Sequence, residues 1–348
     1  MDLRPLGQSG LSVSAFGMGT MTFGEQNTKD EATAILDLAA EHGVTFLDAA
    51  EIYPIPPRSE TQGESERIIG QWMKDKGNRN HMVVASKVAG PTNSSYLRDG
   101  PLHLDARNIN LAVDRSLTNL QVEAIDLYYL HWPERKVNNF GKLDYVHRPE
   151  EESESTPLEE TIEALGALIT AGKIRAWGLS NETPWGVMRA IALCDAMGIP
   201  RPAAIQNPYS LLNRTFEVGL AEVAHREDVP LVAYSPLAGG ILSGKYANGA
   251  KPEGARLTLY PQRYPRYTTP RASLGADRYV ALARELGVPP TALAVAYALS
   301  RPFVASALVG ATSVAQLTDS LAGLHLTLSD EALKAIDVLH GNAPNPAP

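Results

Sequence analysis

Four ionisable side chains stand at or just beyond the ends of apolar segments within the first 131 residues. They are Asp48 and Tyr53 in "TFLDAAEIY", Lys87 in "VVASKV" and His131 in "DLYYLHW". A free tyrosine, with a pKa of about 10, is a poor proton donor near neutrality unless its anion is stabilised. A lysine ammonium lowers that pKa, and a carboxylate holds the lysine charged and oriented. Because an imidazole N–H can orient a carbonyl, the set predicts proton delivery to a carbonyl oxygen.

Each of the four residues, taken singly, also has an ordinary structural explanation. Asp48 could cap a loop, Lys87 could extend its ammonium to water, and His131 could be a hydrogen-bonded core residue. Tyr53 could lie on the surface. Their joint position at successive strand ends favours catalysis. Glu51, in the same segment, is expected to have a structural or solvent-facing role.

Later segments contain residues suited to a nucleotide cofactor, which the chemistry needs because no side chain is a hydride source. "GLSN" and "IQNPYS" supply a hydroxyl and two amides that could hold a carboxamide, and Tyr234 could stack on a flat ring. "AYSPLAGGILSGKY" offers glycines for close approach to phosphates. "VGATSVAQL" opens a helix whose free N–H groups and dipole favour an anion. Each motif alone is weak, because "SPL" and "GAT" are common turn sequences and Gln206 could merely cap a strand, so the order of the motifs carries the prediction.

Short apolar segments alternate with helical segments through the whole chain, as parallel strands with helices between them do. Eight such units without a linker predict one domain over 1–348, a (β/α)₈ TIM barrel. An open Rossmann sheet is the alternative, but G-x-G-x-x-G is missing after the first strand. The strands are expected within 14–21, 45–50, 81–90, 124–132, 174–181, 203–210, 229–237 and 303–313.

Two long loops interrupt this alternation, at 132–156 after the fourth strand and at 238–271 after the seventh. Both leave the face where barrel active sites lie. The acidic stretch 150–154 is expected to be a solvated loop. A last amphipathic helix is predicted near 329–340, followed by a flexible Pro-rich tail at 341–348.

Composition excludes several other functions. The chain has 348 residues, 44% of them hydrophobic, and a net charge of −8 without a run of Lys or Arg, so no nucleic-acid partner is expected. No segment reaches the ~20 apolar residues of a membrane span, and no signal peptide is evident, so we expect no membrane partner and a cytoplasmic location. The single cysteine, Cys194, excludes a cysteine metal cluster and is expected to pack in a core; no metal is expected.

The sequence resembles the aldo-keto reductases over nearly its whole length, through "GVTFLDAAEIY", "VVASKV", "DLYYLHWP", "GKIRAWGLSN", "IQNPYSLLNR", "LVAYSPLAGGILSGKY" and "LVGATS" in the family's order. "GTMTFGEQN" and "NGAKPEGAR" indicate a bacterial subgroup. The resemblance implies a catalytic tetrad in which Tyr53 is the general acid, Lys87 and Asp48 tune it, and His131 orients the carbonyl. It also implies NADPH/NADP+ as the cofactor and a small-molecule carbonyl compound as the substrate.

The resemblance further implies the cofactor contacts. Ser180, Asn181 and Gln206 would hold the carboxamide, with Tyr234 under the ring. Lys245 and Arg256 would favour NADPH by their charge. The other implied contacts are Thr20, Met21, Ser235, Pro236, Leu237, Gly239, Gly244, Gly310, Ala311, Thr312, Gln316, Asp319 and Ser320.

The chain departs from the family pattern in two places. "PIPPRSETQGESE" forms a Pro-stiffened loop directly after Tyr53, beside the expected active site. Near the adenine site, Ala311 and Ser320 replace the family's usual residues. Substrate choice is expected to depend on 54–63, 132–156 and 257–271, with Trp132, Phe140 and Tyr145 as candidates for the pocket wall.

Two other functions stay open at this point. The family resemblance extends to potassium-channel β subunits, which suggests a nucleotide-sensing binding module. The barrel alone would also suit a lyase or isomerase without nicotinamide, since a fold does not fix a function.

Overall fold

A closed barrel of parallel strands forms the centre of the molecule in the computed structural model, which describes residues 1–92, 94–147 and 155–348. A short antiparallel hairpin, β1 (Leu3–Pro5) and β2 (Ser12–Ser14), precedes it. Eight barrel strands lie within these described residues, and the last, β10, pairs with both β9 and β3 to close the ring. They are β3 Phe16–Gly19, β4 Phe46–Asp48, β5 Val83–Val88, β6 Ile125–Leu130, β7 Ile174–Ser180, β8 Ile205–Pro208, β9 Leu231–Tyr234 and β10 Val304–Val309. The predicted (β/α)₈ TIM barrel is confirmed.

Helices cover the outside of the barrel and follow the strands in chain order. Because both faces of the sheet are covered, β6 is buried along its whole length. Within the described residues the helices are α1 Lys29–Glu41, α2 Glu64–Lys76, α3 Ala106–Leu120, α4 Leu158–Thr170, α5 Pro184–Met197, α6 Leu220–Arg226, α7 Arg256–Leu259, α8 Pro270–Glu285, α9 Pro290–Leu299, α10 Val314–Leu321 and α11 Asp330–Asn342.

Capping side chains fix where several helices begin. Thr28 and Glu31 form a reciprocal capping box at α1, and Asp105 accepts from the Asn108 N–H at α3. At α10, the Ser313 side chain accepts from the Gln316 N–H. These caps satisfy N–H groups at the helix starts that have no partner within the helix.

The hairpin closes the N-terminal end of the barrel. Leu6 and Val13, which flank its turn, are fully buried and pack with side chains of the barrel interior. Arg4 donates to the carbonyl oxygen of Val304 at 2.7 Å, at the start of β10. The opposite end of the barrel, where the strands finish, is therefore the end left for a site.

The chain between β6 and α4 has no helix or strand in its described residues, 131–147 and 155–157. The predicted long loop after the seventh barrel strand is present and runs from β9 to α8, with α7 and short 3₁₀ turns inside it. The acidic stretch 150–154 lies outside the described residues. Cys194 on α5 is fully buried in the core, as expected, and burial raises its pKa to about 12. No helix in the described parts of the chain is long and apolar enough to cross a bilayer.

The chain after α11 is packed against the barrel, so the expectation of a flexible tail is wrong there. The Ala347 N–H donates to the Leu212 carbonyl oxygen at 3.1 Å, and Ala347 is 1% exposed. Asn345 Oδ1 accepts from the Arg214 N–H at 2.7 Å. Prolines lack an N–H, yet Asn345 and Ala347 supply enough polar groups to anchor the segment.

Candidate active site

A buried ion pair joins the ends of β4 and β5. Asp48 ends β4, and Lys87 lies near the end of β5, two residues beyond the position paired with Asp48. Lys87 Nζ donates to Asp48 Oδ2 and to the Ala49 carbonyl oxygen, each at 2.6 Å. Lys87 is fully buried and Asp48 is 3% exposed. Burial raises the pKa of Asp48 and lowers that of Lys87, while their mutual attraction opposes both effects.

Tyr53 stands in the turn that follows β4, above this ion pair. Two backbone hydrogen bonds fix the turn. The Tyr53 N–H donates to the Ala50 carbonyl oxygen, and the Gly63 N–H donates to the Tyr53 carbonyl oxygen. Lys87 Nζ lies 4.9 Å from the centroid of the Tyr53 ring. The structure therefore brings the predicted phenol, ammonium and carboxylate together.

The pKa of Tyr53 is raised well above its usual value, first by burial and then by the charge of Asp48. The expected lowering of this pKa by Lys87 is thus outweighed: the ammonium is paired with Asp48 at 2.6 Å, and the net direction is upward. Tyr53 consequently keeps its proton at neutral pH.

His131 follows β6 and faces Tyr53. Its backbone N–H donates to the Val88 carbonyl oxygen, and its ring centroid lies 5.7 Å from that of Tyr53 in an edge-on arrangement. Burial, and then the charge of Lys87, lower the pKa of His131 well below its usual value, so the ring is neutral. Its Nδ1 is buried and has no hydrogen-bond partner in the part of the chain that the structure describes.

The amides predicted to hold a carboxamide are hydrogen-bonded to Asp48 and to the backbone of His131. Gln206 Nε2 donates to Asp48 Oδ1 at 2.8 Å. Asn181 Nδ2 donates to the His131 carbonyl oxygen at 2.8 Å, and its Oδ1 accepts from the Tyr234 hydroxyl at 2.6 Å. The two predicted residue sets therefore form one network.

One cavity of about 980 Å³, here called the main cavity, opens at the strand ends. Asn181 and Ser235 on its wall have φ of +55° and +56°, a region uncommon for residues other than glycine and frequent at functional sites. Of the predicted site residues its wall includes Thr20, Met21, Asp48, Tyr53, His131, Ser180, Asn181, Gln206, Tyr234, Ser235, Pro236, Leu237, Gly239, Lys245, Arg256, Gly310, Thr312, Gln316, Asp319 and Ser320.

Three predicted residues are not on this wall. Lys87 lies behind it, fully buried against Asp48. Gly244 ends a 3₁₀ turn, and a Cβ added there would lie 3.2 Å from Val280 of α8, so it faces the helix. Ala311 is 1% exposed, with its side chain in the core.

Two cations that have no carboxylate partner among the described residues line the main cavity, Lys245 and Arg256. Among the described residues no ion pair involves Lys245 or Arg256, and burial followed by the charge of Arg256 lowers the pKa of Lys245. A Cβ added to Gly310 would lie 3.9 Å from Arg256 Nη2, which places this arginine beside the start of α10. Gly240, with φ +95°, passes directly over Lys245. Unpaired cations beside closely approaching backbone are suited to bind phosphate groups.

Two of the residues predicted near an adenine, Gln316 and Ser320, make hydrogen bonds within α10 or to the residues just before it. Gln316 Oε1 accepts from the Thr312 N–H and hydroxyl, each at 3.1 Å. The Ser320 hydroxyl donates to the Gln316 carbonyl oxygen at 2.8 Å. Gln316 and Ser320 thus satisfy groups of α10 while bordering the main cavity.

Aromatic and basic side chains from the two long loops complete the wall. Trp132 and Phe140 line the main cavity as expected, whereas Tyr145 is 59% exposed and borders a different depression. Tyr264 and Arg266 line it but were not predicted individually. Their segment, 257–271, was recognised only as a specificity loop.

Glu51 is buried beneath the turn that carries Tyr53. Its carboxylate accepts from the Ala89 N–H at 2.7 Å and from Arg98 Nη1 at 2.5 Å, and it is 0% exposed. Burial raises its pKa, and the Arg98 charge opposes that. The structural role expected for Glu51 is therefore confirmed, and the alternative, a position facing solvent, is wrong.

The sequence comparisons agree with this geometry. The model of the Aldo/keto reductase family matches residues 15–340. The chain belongs to this family. This aldo/keto reductase is 47% identical over 350 residues to "Protein tas" of Escherichia coli (strain K12), with 100% of both chains covered. The resemblance drawn from the motifs is confirmed.

More distant relatives also match this aldo/keto reductase over most of its length. It is 30% identical to "Uncharacterized oxidoreductase YrpG" of Bacillus subtilis (strain 168), covering 97% of this chain and 95% of the relative. It is 29% identical to "Probable voltage-gated potassium channel subunit beta" of Arabidopsis thaliana, covering 97% and 92%. The family and the relative named as an oxidoreductase support an oxidoreductase, and the family generally uses a nicotinamide cofactor.

Proposed function

We propose that this aldo/keto reductase reduces an aldehyde or ketone to the alcohol with NADPH, and that Tyr53 donates the proton. The observation that carries the proposal is the arrangement of the main cavity. Its wall combines Tyr53, Asp48 and His131 with the uncompensated cations Lys245 and Arg256. A dinucleotide with phosphates at these cations would then have room to reach the proton donor.

The proposed proton donor is the neutral Tyr53 hydroxyl. Reduction needs a protonated phenol, and burial keeps Tyr53 protonated at neutral pH. When the proton moves to the carbonyl oxygen, the phenolate that remains lies near the Lys87 ammonium, which attracts it. Asp48 keeps that ammonium oriented. The neutral His131 ring can donate one N–H to the carbonyl oxygen and align it.

The residues that would hold NADPH follow from the same geometry. Lys245 and Arg256 would pair with phosphates, and the backbone at Gly310 would approach them closely. Gln206 and Asn181 would turn their amides to the carboxamide while remaining next to Asp48 and His131. When bound, the reduced nicotinamide supplies the hydride.

The direct experiment is a spectrophotometric assay of NADPH oxidation with a panel of aldehydes and ketones. Aldehyde-dependent loss of absorbance, with formation of the matching alcohol, is the expected result. Absence of turnover with every carbonyl compound in the panel, despite NADPH binding, would contradict the proposal.

Nucleotide sensing is the second candidate, because one relative is named as a channel β subunit. A sensing module would bind NADPH and a protein partner but turn over too slowly to matter. A lyase or isomerase would turn over its substrate without NADPH. Measuring NADPH affinity and aldehyde turnover on the same preparation separates these three functions.

A further inference from the structure

We propose that Arg266 recognises an oxyanionic group, a carboxylate or a phosphate, on the carbonyl substrate. This inference rests on the proposed reductase function and adds the substrate class. Arg266 lies in the loop between β9 and α8 and lines the main cavity. The sequence motifs assign it no role.

An unsatisfied guanidinium nitrogen is the first observation. Nη1 of Arg266 is buried and has no hydrogen-bond partner among the described residues. A guanidinium has five N–H donors and stays charged in proteins. Leaving one of them buried without an acceptor is costly, which indicates that an acceptor arrives with a bound molecule.

The side chains that act on Arg266 are phenols rather than carboxylates, and an oxygen of Pro348 adjoins Gly141 beside it. No carboxylate of the described residues forms an ion pair with it. Its guanidinium carbon lies 4.8 Å from the centroid of the Tyr267 ring, and the other neighbouring phenol is Tyr234. Burial raises the pKa of Tyr234 to about 12, so this hydroxyl is neutral at physiological pH. An anion entering the cavity would therefore meet a positive charge that no side-chain carboxylate of the described residues pairs with.

Arg266 borders the main cavity beside the loop that follows β6, and its neighbour Tyr234 lies on the same wall. An aromatic row leads from the proton donor toward it: the ring centroids of His131 and Trp132 are 4.8 Å apart, and those of Trp132 and Phe140 are 6.2 Å apart. The next residue, Gly141, directly adjoins Arg266, since a Cβ added to the glycine would lie 3.4 Å from Arg266 Cβ.

The basic residues proposed for cofactor phosphates stand elsewhere. Arg256 adjoins Gly310 at the start of α10, whereas Arg266 adjoins Gly141 in the loop after β6. Arg263 also borders the cavity but is exposed, so solvent and salt screen its charge. A substrate that places its carbonyl at Tyr53 would extend along the aromatic row, with its anionic end at Arg266.

Matched substrates test this assignment. The probes are 4-carboxybenzaldehyde and 4-formylphenyl phosphate, each compared with the neutral methyl 4-formylbenzoate. The variants are Arg266→Gln, Arg263→Gln and Arg284→Gln, the last on the exposed surface of α8 as a matched control. Kinetics are measured at low and high salt, and NADPH affinity is measured for each variant.

We expect wild type to prefer at least one anionic aldehyde over the neutral ester, and the preferred one identifies the group. Arg266→Gln should raise KM for that aldehyde by about 10- to 100-fold and leave the ester and NADPH affinity nearly unchanged. High salt should reduce the preference, and Arg284→Gln should behave as wild type.

Three results would overturn the inference while leaving the reductase function intact. The first is that wild type uses the ester and the anionic aldehydes equally well. The second is that the preference is lost in Arg263→Gln but not in Arg266→Gln. The third is that Arg266→Gln binds NADPH more weakly and loses activity equally with all substrates. Absence of turnover with every aldehyde would instead count against the proposed function itself.

Discussion

Lys87 and Asp48 form an ion pair of 2.6 Å that is almost completely shielded from water. The ammonium also donates to the Ala49 carbonyl oxygen and lies under the Tyr53 ring. Gln206 satisfies the other carboxylate oxygen of Asp48. The pair is thus both a buried electrostatic element of the fold and the immediate support of the proposed proton donor.

Removing the ammonium should harm stability as well as activity. Lys87→Met leaves the Asp48 carboxylate buried without its cation, which we expect to cost about 3–5 kcal/mol of unfolding free energy. Urea unfolding measures this change. The double variant Lys87→Met/Asp48→Asn, which removes both charges, should recover part of the stability but not the turnover. Equal stability of Lys87→Met and wild type would contradict the account.

The pH dependence of reduction should be nearly flat across neutrality. Tyr53 must be protonated to donate, and its raised pKa means that rising pH removes this proton only above about 10. His131 must be neutral, and its lowered pKa means that falling pH charges it only well below about 6.5. We expect kcat/KM for the aldehyde to be constant from about pH 6.5 to 9. An inflection inside that pH window would contradict either the raised pKa of Tyr53 or the lowered pKa of His131.

Cofactor choice should depend on Lys245 and Arg256. Replacing either cation by a neutral residue, as in Lys245→Met or Arg256→Gln, should weaken NADPH binding by about tenfold or more. NADH lacks the 2′-phosphate, so we expect Arg256→Gln to affect it far less. Fluorescence titration gives both dissociation constants. Lys251→Met, an exposed position in the same loop, is the control.

The Arg98–Glu51 pair should act as a structural anchor for the Tyr53 turn. Arg98→Met leaves the fully buried Glu51 without its cation, and we expect a loss of about 3–5 kcal/mol in unfolding free energy. Arg107→Met, at an exposed position nearby, should change stability little. Thermal and urea unfolding compare the two. Similar stability of both variants would exclude the anchoring role.

The barrel, and the convergence of the residues proposed for proton transfer, could be predicted because both depend on local sequence. Parallel strands end at the same edge of a barrel, so Asp48, Lys87 and His131 had to converge once the strands were located. The pKa of Tyr53 could not be predicted in the same way. Its direction depends on burial and on Asp48 compensating Lys87 within the folded chain.

The positions of residues held by contacts between distant parts of the chain could not be predicted either, because those contacts exist only in the folded protein. Arg266 reaches the cavity only because the loop between β9 and α8 folds back toward Gly141. Glu51 is buried by Arg98, which is 47 residues away along the chain. The terminal segment looks unstructured by composition, yet Ala347 pairs with Leu212 across the fold. No local pattern contains these contacts.

The central claim is that the Tyr53 hydroxyl supplies the proton, and Tyr53→Phe tests it by removing one oxygen atom. We predict that single-turnover reduction of an aldehyde falls by about 10²- to 10⁴-fold, while NADPH affinity and unfolding free energy stay near the wild-type values. Reduction by Tyr53→Phe at a rate close to that of wild type would contradict the account.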